Sequence, residues 1–250
     1  MSTANTPLRR FWAEFRENKV AVVALVVVAL MILLAVFASV VSPQNPYDLA
    51  NLSLMDSRRP PGFVGSGGYT HILGTDPQGR DLLSAIFYGL RISIQIGLAA
   101  GFVSLTIGTT LGILAAYVGG RIEALIMRLV DLQLSFPAIL LALVIVALLG
   151  QGKAQLIGAL VVAQYAYFAR TAYGAAKAER GKDYVEAALA VPLSARLVVM
   201  RHLLPNCMPP LIVVATVQIA NSISLEATLS FLGLGLPVTE PSLGMLISNG

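Results

Sequence analysis

From Val20 to Val41 the chain runs for 22 residues without a charged side chain. A helix needs about 20 mostly apolar residues to cross the hydrocarbon core of a bilayer, and only helices and closed barrels satisfy their own backbone polar groups there. The run meets that length. No Ala-x-Ala cleavage pattern precedes Ser42-Pro43, so it reads as a retained span rather than a signal peptide. The rest of the chain suits the same solvent. Asp, Glu, Lys and Arg make up 12% of the 250 residues, against about 25% in ordinary globular chains, and hydrophobic residues make up 56%. A water-soluble body would have too few polar side chains to cover its surface. The single cysteine, Cys207, excludes an intramolecular disulfide framework and a thiolate metal cluster. Basic residues are neither gathered in a stripe nor interleaved with aromatics, so nucleic acid is not an expected partner.

Four further spans follow from apolar length. Ile92–Tyr117 carries small-residue pairs at helical spacing, Gly97/Gly101 and Gly108/Gly112, which read as a stripe for close helix approach or simply as the glycine common in membrane helices. Leu132–Gly150 contains Pro137, where a kink is predicted. Ala154–Tyr173 contains Gln155, Gln164 and Arg170, polar groups that belong against protein or water. Met208–Leu232 places Ser222, Glu226 and Ser230 four apart on one face that lipid would not solvate. Gln164 and Glu226 are candidates for the pathway or for helix pairing. Arg170 is expected to snorkel as an anchor, and Cys207 to be an inert thiol.

Lys and Arg near span ends favour the cytoplasm. With the N-terminus inside, twelve of the seventeen basic residues fall on inner segments, six of them between Arg170 and Arg201. The expected product is an all-α, polytopic bundle with three parts. Residues 1–41 are the cytoplasmic N-terminus and first span, 42–90 an external loop with a surface helix, and 91–250 the main transmembrane domain with a cytoplasmic loop at 174–206.

In the external loop, Asp76-Pro77 predicts a helix start, with Leu82, Leu83, Ile86, Phe87 and Leu90 along one side and Arg80 and Asp81 on the wet face. That helix lies along the membrane surface or packs on protein. In the inner loop, Asp183 and Glu186 form a capping box for a short helix containing Ala187 and Ala188 and ended by Pro192. Ser194 then caps a second helix through Arg201 and His202, stopped by Pro205. Two helices in so short a loop make a protrusion suited to docking.

Glu186-Ala187-Ala188, followed by Arg201-His202-Leu203-Leu204-Pro205-Asn206, resembles the EAA loop of binding-protein-dependent ABC importer permeases. Gly74-Thr75-Asp76 with Gly79-Arg80-Asp81 is similar to the outer-loop signature of the second ("C") permease subunit of dipeptide, oligopeptide and nickel importers. Leu225-Glu226-Ala227 with Leu229 to Gly235 matches that subfamily's fifth span. The resemblance implies a type I importer permease in a bacterial or archaeal plasma membrane. It implies a homologous second permease, two ATP-binding subunits docked on the inner loop, and an external solute-binding protein. It also implies a sixth span after the Gly233–Gly250 region, so the sequence reads as C-terminally truncated, and it departs from the family at Pro192, where glycine is usual.

No G-x-x-x-x-G-K-[S/T] run is present, so ATP and Mg are expected on the partner subunits and no cofactor or metal on this chain. An ion-gradient-driven transporter is the alternative, with Glu226 as its one serious relay. No nucleophile-base pattern supports an intramembrane enzyme.

Overall fold

Asn18 begins the first spanning helix by accepting the Ala21 N–H on its side chain at 3.2 Å. In the computed structural model, which describes residues 7–48, 52–183, 194–237, 239–240 and 242–249, the chain divides into two units, Met1–Arg91 and Ile92–Gly250.

The first unit opens with α1 (Pro7–Glu17), whose Phe11, Trp12 and Phe15 rings stack along one side, with Trp12 and Phe15 centroids 5.6 Å apart. Exposed aromatics on a short polar helix beside a span suit the membrane interface. The span itself is α2 (Lys19–Val36), continued after a break at Phe37 by α3 (Ala38–Val41). Only Ala35 of α2 is buried, so the helix keeps nearly its whole apolar surface for lipid or another chain. A two-stranded hairpin follows, β1 (Phe63–Val64) antiparallel to β2 (Thr70–His71), pairing Phe63 with His71.

α4 (Leu82–Val118) then runs 37 residues without a break, about 55 Å at 1.5 Å per residue. This corrects the sequence reading in two ways. The surface helix and the second span are one rod, because nothing between Leu82 and Val118 interrupts helical hydrogen bonding. The rod also starts at Leu82 rather than at Asp76-Pro77. Thr75 bridges Asp81 and Gly79 takes φ 77°, so the segment closes as a loop first, and Asp81 caps the helix by accepting the Ser84 N–H at 2.8 Å.

In the second unit, α5 (Gly120–Leu134) and α6 (Ala138–Leu149) replace the single kinked span expected over 132–150. They meet at 91°. The Ser135 hydroxyl donates to the Asp131 carbonyl at 2.8 Å at the end of α5, and Pro137 has no N–H with which to continue it. Twelve residues of α6 are too few to cross a bilayer alone. α7 (Lys153–Arg180) is the central helix, with Ala159, Ala163, Ala166, Ala169, Ala172 and Ala176 buried along its length. Its buried face packs against the neighbouring helices, which is why it tolerates Gln164 there and falls short of the apolarity of α2 and α4.

A short helix α8 (Ala195–Val198) passes through a π turn (Val199–Leu203) directly into α9 (Leu204–Phe231). Pro205 was expected to stop a helix here. It instead lies in the first turn of α9 directly after the π turn, and the helix runs on through it. α10 (Leu243–Asn249) folds back on the end of α9, with Gly244 so close to the Ala227 carbonyl that a Cβ would sit 2.0 Å from that oxygen.

Among the described residues, three helices can cross a membrane by length and composition, Lys19–Val36, Leu82–Val118 and Arg196–Phe231, and the bent α5–α6 pair makes a fourth if it is one span.

Candidate functional site

The loop signature Gly74, Thr75, Asp76, Gly79, Arg80 and Asp81 builds a hydrogen-bonded knot. Gly74 takes φ 84°, and a Cβ there would meet the Arg59 carbonyl at 2.4 Å; one at Gly79 would meet the Ser53 carbonyl at 2.2 Å. Thr75 Oγ1 accepts from the Arg59 N–H at 2.8 Å and donates to the Asp56 carbonyl. Asp76 accepts the Gln78 and Arg80 N–H groups at 2.9 Å, while burial pushes its carboxyl upward. The wet face predicted for Arg80 and Asp81 is not there. They are 2% and 0% exposed, because the loop folds over the start of α4.

Asp81, His71 and Ser84 invite comparison with a catalytic triad, but the roles are wrong. His71 Nδ1 donates to Asp81 Oδ1 at 3.1 Å and Ser84 Oγ donates to Asp81 Oδ2 at 2.6 Å, so both partners point at the carboxylate and neither activates the other. All three are buried. The arrangement locks the loop onto the helix cap. Among the described residues no group of three or more His, Cys, Asp or Glu side chains could hold a metal ion.

Asp56 fastens the hairpin by accepting both the N–H (2.9 Å) and the hydroxyl (2.6 Å) of Ser66, and these bonds hold its carboxyl below the usual value near 3.8. Stability from a depressed carboxyl is complete above the ordinary value and is lost as pH falls through the folded one. Hydrogen-exchange protection of the Ser66 amide is therefore expected to persist from neutral pH down through the ordinary carboxyl range and to be lost only as pH falls below it, through the depressed value of Asp56. Asp56→Asn should show low protection throughout. Equal protection of the Ser66 amide in wild type and Asp56→Asn at neutral pH would refute the fastening.

Glu226 lies 0% exposed between two serines, with Ser93 Oγ of α4 donating to its Oε2 at 2.7 Å and Ser230 Oγ to its Oε1 at 2.8 Å. One turn back, Ser222 meets Gln164 of α7. With its amide oriented to satisfy both ends, Gln164 donates to Ser222 Oγ at 2.8 Å and to the Gln218 carbonyl at 3.3 Å. The 222/226/230 face is thus a polar seam holding α9 to α4 and α7.

The glycine row serves two different neighbours within the chain. Cβ atoms at Gly97 and Gly101 would meet Ile223 and Ile219 of α9 at 2.6 Å. At Gly108 and Gly112 they would meet the Tyr165 and Ala169 carbonyls of α7 at 2.3 Å. Arg170, expected to snorkel, pairs with Asp131 of α5 at 2.7 Å. Cys207 is buried beside Phe168 and Leu211.

Sequence reasoning missed a groove on the next stripe of α9. Gln164, Tyr167, Gln218, Asn221, Ser224 and Thr228 line a cavity of about 240 Å³ that continues, past Tyr167 and Gln218, into one of about 450 Å³ near Arg170 and Thr171. The spacing 218, 221, 224, 228 was a readable helical signal, overshadowed by the seam beside it.

Of the inner-loop residues, Asp183 is exposed, while Glu186, Ala187, Ala188 and Pro192 lie in 184–193, outside the described residues. Arg201 and His202 fall in the π turn, and Pro205 and Asn206 open α9, with Asn206 Nδ2 donating to the His202 carbonyl at 2.7 Å.

Residues 108–250 match the family model for the binding-protein-dependent transport system inner membrane component, and residues 6–61 match that for the N-terminal TM domain of oligopeptide transport permease C. The chain is 35% identical to the dipeptide transport system permease protein DppC of Haemophilus influenzae over 98% of this chain and 82% of that one. It is 37% identical to the di/tripeptide transport system permease protein DppC of Pseudomonas aeruginosa, over 98% and 80%. The oligopeptide transport system permease protein OppC of Bacillus subtilis is 33% identical over 95% and 75%. Among solved structures, an inward-facing form of the MetNI methionine ABC transporter matches with a TM-score of 0.57 over 66% of this chain and 79% of that chain; at 20% identity the likeness is one of fold. The chain belongs to the binding-protein-dependent inner-membrane permeases, as a multi-pass subunit of an ABC importer with the type I importer fold.

Proposed function

We propose that this permease carries di- or oligopeptides delivered by an external solute-binding protein, forming half of the pathway beside a homologous second permease. The names of its relatives favour peptides over nickel. Two partner subunits bind ATP and Mg and dock on the 183–206 loop, which faces the cytoplasm with the N-terminus. Residues 91–250 form the transmembrane domain, and the 42–90 segment lies on the external side.

One observation carries the coupling reading. The segment from Ala195 passes through a π turn into α9 without a loop, so movement of the inner loop is movement of the helix that lines the groove. Single π turns are common at functional positions in helices. Coupling further requires the docked loop to differ in contact energy between two states, since a partner that binds both equally shifts nothing. By sequence, Asp183 and Glu186 supply charge to the docking segment, and the small side chains of Ala187 and Ala188 suit a narrow cleft. Arg201, His202, Pro205 and Asn206 anchor the return into α9. A gradient-driven mechanism is disfavoured by the burial of Glu226 between two serines.

In the reconstituted importer, Glu186→Arg is expected to abolish peptide uptake while ATP hydrolysis continues. Undiminished uptake would defeat the docking role. Orientation has its own test. A membrane-impermeant maleimide is expected to label Val64→Cys, an exposed site on β1, from outside the cell and to leave Gly181→Cys unreacted until the membrane is opened. The reverse pattern would invert the topology.

A further inference from the structure

Phe11 and Phe15 stand one turn apart on α1 with Trp12 beside them, and the three rings stack on one another. Phe11 and Trp12 are 61% and 51% exposed, so no described part of the chain covers this face. The opposite side of the helix is satisfied within itself, with Arg10 Nε donating to Glu14 Oε1 at 3.1 Å. Arg9 and Arg16 are placed differently. They lie three residues before and four after Trp12, on the row that passes through the indole, and both are exposed. Among the described residues neither takes part in an ion pair. The aromatic face is thus flanked by two uncompensated cations.

Position selects the occupant. The chain leaves α1 through a tight turn, the Asn18 N–H donating to the Phe15 carbonyl at 3.2 Å, and Lys19 opens the 18-residue apolar span α2. Trp12 precedes that span by only about 10 Å of helical rise, which holds its ring near the depth where a spanning helix emerges from hydrocarbon. Indole rings and long-stemmed cations both partition to that depth. We propose that α1 lies in the membrane surface, with Phe11, Trp12 and Phe15 sunk at the boundary of headgroups and acyl chains and Arg9 and Arg16 holding the headgroups of anionic phospholipids. A planar guanidinium matches the geometry of phosphate oxygens, and a net negative headgroup adds an attraction that a zwitterionic one lacks. The contact concerns the lipid around the permease and is independent of which solute crosses.

The experiment uses the full importer in vesicles of equimolar phosphatidylcholine and phosphatidylglycerol, with bromine, a quencher of indole fluorescence, on the acyl chains of one lipid or the other. The difference between wild type and Trp12→Phe isolates the signal of Trp12, the one tryptophan in this sequence. Brominated phosphatidylglycerol is expected to quench it about twofold more than brominated phosphatidylcholine. A basic side chain at an anionic surface is favoured about fivefold, and exchange with the surrounding lipid dilutes that preference. Arg9→Gln combined with Arg16→Gln should equalise the two lipids while the ring stays quenched. Arg10→Gln combined with Glu14→Gln, on the opposite face, should leave the preference in place. Should the Arg9 and Arg16 variant fail to assemble, wild type in about 1 M salt tests the same contact, because screening over about 3 Å should also equalise the lipids. Equal quenching by both lipids in wild type at low salt overturns the anionic contact. A preference that survives the loss of Arg9 and Arg16, or high salt, overturns its assignment to these side chains. A Trp12 quenched by neither lipid is covered by protein, which overturns the proposal outright.

Discussion

Gly112→Leu is expected to leave little folded permease. A Cβ at this position would lie 2.3 Å from the Ala169 carbonyl oxygen and 2.8 Å from both Ala172 Cβ and the Tyr173 nitrogen, so the obstacle is mostly backbone of α7. Backbone cannot rotate aside as a side-chain tip can; α4 and α7 would have to separate, loosening Phe168, Ala169 and Ala172, which are fully buried. Inserting volume into a close-packed core costs about 1–3 kcal/mol, and more where helices must move. Gly112→Leu should exceed that range and Gly112→Ala fall within it. Gly101→Ala should cost about 1 kcal/mol, at the low end, because its nearest obstacle is Ile219 Cγ1, which a rotamer change can withdraw. Thermal unfolding of the purified complex is expected to rank wild type, Gly101→Ala, Gly112→Ala and Gly112→Leu in descending order. Equal losses for the two alanine variants would sink the distinction between backbone and side-chain contacts.

That distinction marks a boundary of what a sequence makes legible. Helical spacing puts Gly97, Gly101, Gly108 and Gly112 on one face, but it says nothing of which helix lies opposite, and one row turns out to serve two. The apolar run at Val20 is readable because bilayer thickness alone fixes its length. The ends of α4 are not. Arg91 looked like the end of a span, yet a charge interrupts hydropathy without interrupting a helix, and the rod extends back to Leu82. Both Asp76 and Asp81 are plausible caps by residue type. The choice between them is made by the left-handed turn at Gly79 and the Thr75–Asp81 bridge, which pair residues through the loop's closure rather than along the chain. The break at Pro137 was visible as a proline, but its 91° angle depends on packing against α7, where the Gln133 amide donates to the Val162 carbonyl at 2.6 Å. Of the candidate site, the buried seam through Gln164 and Glu226 was readable as polar residues in apolar surroundings, and the groove beside it was equally written in the spacing from Gln218 to Thr228. The inner loop was the most informative stretch as sequence, and its residues 184–193 lie outside the described structure.

Glu226 separates a helix clamp from a proton relay, and its two conservative replacements are expected to behave oppositely under the two. As a clamp, its carboxyl matters because it accepts hydroxyls from Ser93 on α4 and Ser230 on its own helix inside a bundle without water to replace them. Glu226→Leu strands both hydroxyls, each at about 1–3 kcal/mol, partly offset because a carboxyl no longer has to be buried. A loss of about 2–4 kcal/mol should follow, seen as a lower unfolding temperature and poorer recovery of the complex. Glu226→Gln keeps an acceptor for one serine and an amide for the other, so it should retain both stability and most uptake. Ser93→Ala combined with Glu226→Leu should cost less than the two changes summed, because the second removes a hydroxyl already stranded by the first. A relay predicts the reverse for glutamine: a carboxamide takes no part in proton transfer at physiological pH, so Glu226→Gln would fold normally and transport nothing. A stable, inactive Glu226→Gln permease with intact ATPase partners would therefore overturn the clamp.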